Sequence, residues 1–515
     1  MKDIALSALD RRSFLLSTLG LGLAFAMPGG LASAQGTRSG TLRYALLGLD
    51  TSDPHRHTGS IGVQQSFVEA LTSIGPDGQV EPWLAESIDV SPDGLKYTFK
   101  LRRGVKFHNG DLLTAADVVA NVDRVKSQIK SGWLVTAMKN VAKVEAPDDA
   151  TVVLTMSEPY SPLLNLMSEL WIVSPKSEGW AETVTKPIAT GPFTFGDWQP
   201  NVSFTAPAFD QYWVPGLPHV EAVQFDLRDA SNYSLALLAG DLHIAGLAVE
   251  EVDQVNNSGT ATVKYLKDTS WYSIAFNNRK PRAPFDNVKV RQAIAYAVDK
   301  TAFMEFATGK SAVVTNQMAA PGNFYFDQAM HDADAFKARD LEKAKALLAE
   351  AGVNPAEHKI RFVSWQNDYN QVIVQAVREL GFEVDHAALD DLGAQNRLGG
   401  DDWDMNAMSS GPRADIYLRY VRLMSDGPNP VLWGNIQDKE LDALVAAAVK
   451  EPDAAKRRET YLKAMQLISD KMYFVVLGHA AARVGVRNEV SGYDPGFTYA
   501  CSWATGGVAH LTMTA

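Results

Sequence analysis

Residues 83–119 constrain the fold more than any other part of the sequence, because strand and turn patterns follow one another there within a short stretch. Apolar and polar side chains alternate over residues 95–102, which is the period of a half-buried strand. Turn residues flank this run at 92–94 (PDG) and at 109–110 (NG). The segment therefore predicts a strand, a tight turn, a longer strand and a second turn.

The same stretch ends with the signal for the start of a helix. Thr114 and Asp117 have the spacing of a capping box, and Val118, Val122 and Val125 follow at helical intervals. We expect a helix that begins after Thr114 and buries the face carrying the three valines.

The first residues of the chain have the pattern of an export signal. Two arginines at 11–12 precede a modestly apolar run over residues 14–27, and the small residues 32–34 (ASA) offer a cleavage site. The apolar run is too short to span a bilayer. We expect a twin-arginine signal peptide over residues 1–34. Since no cysteine stands near the cleavage site, a periplasmic protein without a lipid anchor is expected.

Size and charge limit the class of protein. A chain of 515 residues with 46% hydrophobic and 21% charged residues is expected to form two or three globular domains. The formal charge of −12 argues against nucleic acid as a partner. Cys501 is the single cysteine, which excludes an intramolecular disulfide and a cysteine-based metal cluster.

The second half of the chain alternates between helix and strand patterns. Helices are expected after Asn287, over residues 340–351 and after Asp438, each with a capping residue at its start. Strands are expected at residues 360–365, 382–385 and 403–408. This order predicts the α/β class with a mixed sheet.

Several segments resemble, in the right order, the motifs of one protein family. They are residues 83–119, GPF at 191–193, YW at 212–213 and PFDNVKVRQA at 284–293. On these motifs the chain is similar to the family 5 extracellular solute-binding proteins, which deliver oligopeptides, dipeptides, nickel chelates and other solutes to ABC importers. The resemblance runs from about residue 41 to the C-terminus.

This resemblance implies a two-lobed binding protein (a Venus-flytrap fold) with an extra inserted subdomain and mixed sheets. Lobe I would take residues 35–75, 190–270 and 480–515, the inserted subdomain 76–189, and lobe II 271–479. The ligand, a small molecule or peptide, would lie between the lobes. The implied protein is a monomeric periplasmic receptor that binds its solute without turnover and docks on an inner-membrane ABC permease.

The loop after residue 403 holds the main candidates for ligand binding. In the peptide binders of the family, an aspartate in this loop pairs with the terminal ammonium of the ligand. Counted without gaps from Asp404, that position holds Arg413, and Ser410 replaces a tryptophan that often precedes it. Arginine suits a carboxylate or phosphate, so Arg413 is a candidate for binding an anionic group. Two alternatives stay open: Arg413 pairs with Asp415 or another acid, or a one-residue gap restores Asp415 as an amine anchor.

Other candidates are aromatic residues and one histidine. Trp271 and Tyr272 begin a segment that resembles the family's domain-crossing strand, and Trp503 lies where the chain returns to lobe I. Each of them would stack on the ligand or else belong to an interdomain core. His57 lies with His55 in a loop that resembles one beside the family's cleft. The pair suggests a transition ion, but loop histidines are more often solvent-facing, so no metal is expected.

Motifs of enzyme chemistry are missing from the sequence. It has no GxSxG, HExxH, Walker lysine loop or dinucleotide fingerprint, and no cofactor is expected. His108 belongs to a hairpin turn and is interpreted as structural. The prediction is a receptor for a peptide-like or carboxylate-bearing solute, such as a modified peptide, opine-like conjugate or sugar acid. A periplasmic enzyme, and a chaperone or signalling receptor on the same fold, are the competing classes.

Overall fold

The structure is a computed structural model, and it describes most of the chain from residue 38 onward. The described residues are 38–46, 48–56, 62–75, 79–130, 133–228, 233–411, 413, 415–427, 430–494 and 507–514. The expected signal peptide, His57, Cys501 and Trp503 lie outside these ranges.

The strands, in chain order, are β1 Thr41–Ala45, β2 Thr72–Ile74, β3 Val80–Pro82, β4 Ala85–Val90, β5 Lys96–Leu101, β6 Val141–Asp148, β7 Thr151–Met156, β8 Trp198–Gln199, β9 Ser203–Pro207, β10 Ala222–Asp226, β11 Ile244–Gly246, β12 Ala261–Phe276, β13 Ala312–Val313, β14 Lys359–Trp365, β15 Glu383–Leu389, β16 Met405–Ser410, β17 Phe474–Arg487, β18 Val490–Ser491 and β19 Thr512–Met513.

The α-helices, in chain order, are α1 Ala115–Gln128, α2 Trp133–Met138, α3 Leu163–Leu166, α4 Tyr233–Ala239, α5 Val252–Asn256, α6 Val288–Ala297, α7 Lys300–Thr308, α8 Gln328–Asp332, α9 Leu341–Glu350, α10 Gln371–Glu379, α11 Asp391–Gly399, α12 Tyr417–Tyr420, α13 Lys439–Lys450 and α14 Ala454–Lys471. The helices expected after Asn287, after Asp340 and after Asp438 are confirmed, and each of these three residues accepts a backbone hydrogen bond as the N-cap.

One mixed sheet organises the main body of the molecule. In the described residues its strands lie in the order β15-β14-β16-β12-β17-β11-β1-β10-β9-β8, and β13 pairs with β17. β1 runs parallel to β10 and β11, and β14 runs parallel to β15 and β16. β12 and β17 are antiparallel to each other and to the strands beside them. The expected mixed α/β sheet is confirmed.

Two long strands carry this sheet across the molecule. β12 has 16 residues and β17 has 14. Their ladder is interrupted, because Tyr265 pairs with Arg483 while the next pair joins Thr269 to Ala481. Such a register shift bends a strand pair and increases its twist. The two halves of the sheet therefore meet at this bulge.

Separate apolar cores lie on the two halves. The β1 half buries a core that includes Phe67, Phe204 and Phe225. The β14 half is covered on one face by α6, α9 and α10. Its opposite face packs against α13 and α14 in a core that contains Trp271 and Trp433. Each half can thus bury its own hydrophobic surface, as independent lobes require.

The segment 83–119 folds as its pattern predicts. β4, β5, β7 and β6 form a separate four-stranded sheet in that order. The carboxylate of Asp117 accepts hydrogen bonds from the backbone N–H and the hydroxyl of Thr114, at 2.9 and 2.8 Å. Val118, Val122 and Val125 are fully buried and join α1 to this sheet.

The region around Gly191 begins without regular strand pairing. Phe193 makes only an isolated bridge to Ala208, and regular strand pairing begins at β8 and β9. The reason is close packing of backbones, since a Cβ added to Gly191 would lie 2.5 Å from the carbonyl carbon of Phe67. Only glycine allows this approach.

A helix needs about 20 consecutive apolar residues to cross a bilayer. No helix among the described residues is both long enough and apolar enough to do so.

Candidate functional site

Three side chains lie in one row across the middle of the main sheet. In the register of β12, Trp271 is paired with Ser410 of β16 on one side and with His479 of β17 on the other. Directly paired residues project to the same face of a sheet. Trp271, Ser410 and His479 therefore share one surface, close to the bulge where the two halves of the sheet meet.

Two stacked tryptophans and two arginines cover this surface. The rings of Trp271 and Trp433 stack with centroids 5.2 Å apart and an interplanar angle of 13°. The guanidinium of Arg419 lies 5.8 Å from the centroid of Trp271, and that of Arg422 lies 5.0 Å from the centroid of Trp433. Each arginine thus makes a cation–π contact with one of the two indoles, which helps to hold it in a desolvated position.

Arg422 lies among positive charges. One of its terminal nitrogens, Nη1, donates to the hydroxyl of Ser410 at 3.0 Å. Burial lowers the pKa of Arg422 to about 9, with further lowering by Arg413 and Arg419. No carboxylate in the part of the chain that the structure describes forms an ion pair with Arg422. A partly buried and desolvated cation in this position favours an anion from outside the protein.

His479 fixes Arg419 without adding a charge. Its Nε2 lies 2.8 Å from the carbonyl oxygen of Gln317 and must donate to it, so Nδ1 is the acceptor that faces Arg419 Nη1 at 3.5 Å. Burial, followed by the charge of Arg419, lowers the pKa of His479 to about 3. Arg419 also donates to the carbonyl of Met318. Histidine and carbonyl together orient a guanidinium at the surface of the sheet.

Arg413 belongs to the same group of cations. It lies just beyond the end of β16, is partly buried, and is one of the two charges that lower the pKa of Arg422. Sequence reasoning identified Arg413 but missed Arg419, Arg422 and His479. The signal for two of them was their spacing, since Arg419 and Arg422 lie three residues apart on consecutive helical turns.

The side chains of this group are hydrogen-bond donors. Arg413, Arg419 and Arg422 are acceptor-free side chains. The indole Nε1 of Trp271 is buried and has no hydrogen-bond partner within the described ranges. Planar guanidinium groups match carboxylate oxygens in pairs. We call these three arginines and Trp271 the arginine site; its chemistry suits an acceptor-rich anionic group.

Asp415 lies in a different environment, lined by tyrosines. Its carboxylate accepts the backbone N–H of Tyr417 at 2.7 Å. Burial raises its pKa to about 6, against the lowering effect of Arg457. Asp415 in turn helps to raise the pKa of Tyr160, Tyr325 and Tyr461. The carboxylate and these three phenols therefore influence one another electrostatically.

Trp271 and Tyr272 do not act together, because consecutive residues of a strand point to opposite faces. Tyr272 lies on the face covered by α6, α9 and α10. Its ring is 6.0 Å from that of Phe303 and 6.0 Å from that of Tyr369. Trp271 alone faces the arginines.

The loop that contains His55 is tied to the four-stranded sheet by a buried network. Arg124 donates to Asp53 at 2.6 Å and to Nδ1 of His55 at 2.8 Å. Nε2 of His55 donates to the carbonyl of Trp171 at 2.8 Å. Both ring nitrogens are therefore occupied by protein groups. The predictions for His57 and Trp503 fall outside the described residues, and among those described no group of three potential metal ligands occurs.

His108 bonds only to backbone groups in the described structure. Its Nε2 lies 3.1 Å from the carbonyl oxygen of Gly191, and its backbone N–H donates to the carbonyl of Ala189. Burial lowers its pKa to about 4. The residue joins the 107–110 turn to the segment around Gly191, in line with its structural interpretation.

Comparison with known proteins gives consistent likenesses. The model of the bacterial extracellular solute-binding proteins, family 5, matches residues 79–424. The glutathione-binding protein GsiB of Escherichia coli O1:K1 is 27% identical over 442 residues, which cover 81% of this chain and 84% of that protein.

Two solved structures extend the likeness to the fold. The binding protein AgaA of A. tumefaciens R10, solved with agropinic acid, has a TM-score of 0.73 at 24% identity and covers 92% of this chain and 99% of its own. NikA of Brucella suis, solved with Fe(III)-EDTA, has a TM-score of 0.81 at 21% identity. The match covers 92% of this chain and 100% of the NikA chain. These neighbours are two-lobed, and the two-lobed fold expected from the sequence is confirmed.

Proposed function

The chain belongs to the family 5 bacterial extracellular solute-binding proteins and is the solute-binding receptor of an ABC importer, and from this premise we propose that its ligand is a small solute that carries a carboxylate. Homologues in the family are periplasmic binding proteins of transporters. The receptor would hold the solute between its lobes and present it to the permease without converting it.

The observation that carries this proposal is that Arg419 and Arg422 lie against the stacked indoles of Trp271 and Trp433, with Arg413 near enough to lower the pKa of Arg422. Two of the guanidinium groups lie over stacked indoles, and Arg422 has no carboxylate partner among the described residues. A carboxylate of the ligand would supply the missing negative charge and accept paired N–H groups. GsiB is named as a glutathione-binding protein and AgaA was solved with agropinic acid, and both agree with an acidic, peptide-like or conjugated solute.

Native mass spectrometry followed by calorimetry tests the proposal. A retained solute should contain an acidic group. Glutathione and its dimethyl ester serve as paired probes, because only the first has free carboxylates. We expect the free acid to bind more tightly than the ester, and Arg422→Gln to weaken its binding roughly 30-fold, or about 2 kcal/mol.

Arg228→Gln is the matched control, since Arg228 is exposed and follows β10 in the β1 half of the sheet. It should leave the affinity unchanged. A retained solute without an acidic group, or an Arg422→Gln variant with full affinity for the retained acid, would contradict the carboxylate proposal.

A second candidate ligand class follows from Asp415. A buried carboxylate that forms no ion pair with another described residue favours a cation from the ligand. Together with the arginine site this would suit a zwitterion, such as a peptide with a free amine. Asp415→Asn should then weaken the binding of a ligand with a free amine more than the binding of its N-acetylated form, as measured by calorimetry. Equal loss for both forms would remove the amine anchor.

Finer features of the protein are part of the same proposal. The lobes would divide as 35–75, 190–270 and 480–515 against 271–479, which agrees with the position of the β12–β17 bulge. Export would use the twin-arginine pattern at residues 11–12. The receptor would act as a monomer with the permease as its protein partner.

A further inference from the structure

The four-stranded sheet and its associated segments, residues 79–189, contact the rest of the molecule in two different ways. Toward the β1 half the contacts are buried and charged. Arg124 and Asp53 form an ion pair in which both side chains are fully buried. Glu69, also buried, accepts from the indole Nε1 of Trp83 at 2.8 Å and from the hydroxyl of Tyr212 at 2.7 Å. Breaking such contacts would leave buried charges without partners.

Toward α12 and α13 the contacts combine partly exposed polar groups with a few apolar side chains, since Leu418, Tyr417 and Val449 pack against the core of the four-stranded sheet. Lys450 Nζ lies 2.7 Å from Glu158 Oε2, and the two side chains are 54% and 47% exposed. The backbone N–H of Ser161 donates to the carbonyl of Val449 at 2.8 Å, and its hydroxyl donates to that of Ala448 at 3.3 Å. These carbonyls belong to the last turn of α13, and that of Ala448 also accepts the backbone N–H of the C-cap residue Glu451.

Apolar groups complete this second contact. The rings of Tyr160 and Tyr417 meet edge to face with centroids 6.0 Å apart. The turn at Gly94, between β4 and β5, approaches Pro452, since a Cβ on Gly94 would lie 3.8 Å from the Cβ of Pro452. The hydroxyl of Tyr97 donates to the carbonyl of Tyr160 at 3.2 Å and so supports this ring.

The difference between the two contacts indicates which one opens. A fully buried ion pair holds residues 79–189 to the β1 half. One exposed ion pair, two hydrogen bonds and the side chains of Leu418, Tyr417 and Val449 hold them to α12 and α13. Small contacts between domains that bury no ion pair permit relative motion. Residues 79–189 therefore move with the β1 half, and their contact with α13 is the one that separates.

We propose that residues 158–161 and 448–452 form an interdomain latch, through which the inserted subdomain closes on lobe II and covers Asp415 with Tyr160. Tyr160 is 4% exposed in this closed arrangement. The inserted subdomain is thus a working part of closure rather than only a support for lobe I. This goes beyond the proposed ligand class, because the latch acts on closure whatever solute is bound.

Distance measurements by double electron–electron resonance test the latch on the ligand-free full chain. Spin labels are placed at Asp123→Cys on α1 and Lys463→Cys on α14, both exposed, in a Cys501→Ser background. Glu158→Lys puts two lysines in contact. We expect it to raise the open-to-closed ratio about two- to fivefold, the range expected for losing an exposed ion pair.

Two further variants make the result specific. The double variant Glu158→Lys/Lys450→Glu restores the opposite charges and should return the distances to those of the wild type. Glu178→Lys breaks the comparably exposed pair of Glu178 with Lys186, away from the latch, and should leave them unchanged. The latch is overturned if Glu158→Lys matches the wild type, if the charge swap fails to recover it, if the control shifts equally, or if the wild type shows only the open distance.

Discussion

At the scale of single residues, the buried charges of this receptor divide into two kinds. Asp53 and Arg124 satisfy each other completely within the protein. Asp415 is also buried and Arg422 is partly buried, but neither has an opposite charge within ion-pair distance among the described residues. The first kind stabilises the fold, while the second kind stores an unfavourable desolvation energy that a ligand can relieve.

Asp53→Asn should destabilise the protein strongly. The variant would leave the guanidinium of Arg124 buried without its counter-charge, which costs about 3–5 kcal/mol. Chemical denaturation at pH 7 measures the change. Glu145→Gln, which breaks the exposed pair of Lys143 and Glu145, is the control and should cost about 1 kcal/mol or less. Equal effects of the two variants would argue against a structural role for the buried pair.

Asp415→Asn should stabilise the protein, and it should do so only at pH values above the acidic range. Burial raises the folded-state pKa of Asp415 to about 6 from a usual value of 3.8. The folded state therefore binds more protons than the unfolded state between these values, and stability falls as pH rises through that window. Removing the charge should stabilise the ligand-free protein by up to about 3 kcal/mol at pH 7.

Thermal unfolding of both proteins at pH 4 and pH 7.5 measures this effect. The groups that face Asp415 are Tyr160, Tyr325, Tyr417, Tyr461 and Arg457, and none of them titrates in this range. A stabilisation of equal size at both pH values would show that the charge of Asp415 is not its source.

At the scale of elements, helix starts are local and sheet contacts are not. The carboxylate of Asp340 caps α9 by accepting the N–H of Lys343 at 2.9 Å. Asp340→Ala should lower the free energy of unfolding by about 1 kcal/mol. Asp340→Asn should retain most of that stability, because asparagine caps helices nearly as well as aspartate. Urea denaturation measures both. If the asparagine variant is as unstable as the alanine variant, the cap is not the cause.

The same distinction explains what could be predicted from the sequence. The capping box of Thr114 and Asp117 lies within four residues, so the local sequence pattern was sufficient to predict it. The pairing of Arg124 with Asp53 spans 71 residues and depends on how the four-stranded sheet packs, which no local pattern encodes.

The arginine site illustrates the limit most clearly. Arg413 was identifiable because it departs from a motif of the family. Trp271 and Ser410, whose hydroxyl accepts from Arg422, come into register only when β16 is placed beside β12. The order of strands in the mixed sheet, and therefore the neighbours of Trp271, follows from long-range pairing rather than from any single segment.

At the scale of the whole molecule, the continuous sheet couples the two halves. β12 and β17 belong to both halves and pair across most of their length. We expect the β10 and β14 strands to lose protection at the same denaturant midpoint in hydrogen-exchange mass spectrometry, because neither half can unfold without opening the shared strands. Midpoints separated by more than about 1 M urea, a difference of 1–3 kcal/mol at typical slopes, would indicate independent lobes.

The stacked indoles of Trp271 and Trp433 give the receptor an optical reporter of its own state. Two chromophores 5.2 Å apart and nearly parallel couple their electronic transitions, and each lies against a guanidinium that an anion would approach. Near-ultraviolet circular dichroism and tryptophan emission should therefore respond to occupancy without any attached dye. Solutes can be screened by spectroscopy on the unmodified protein, with Trp433→Phe as the silent reference.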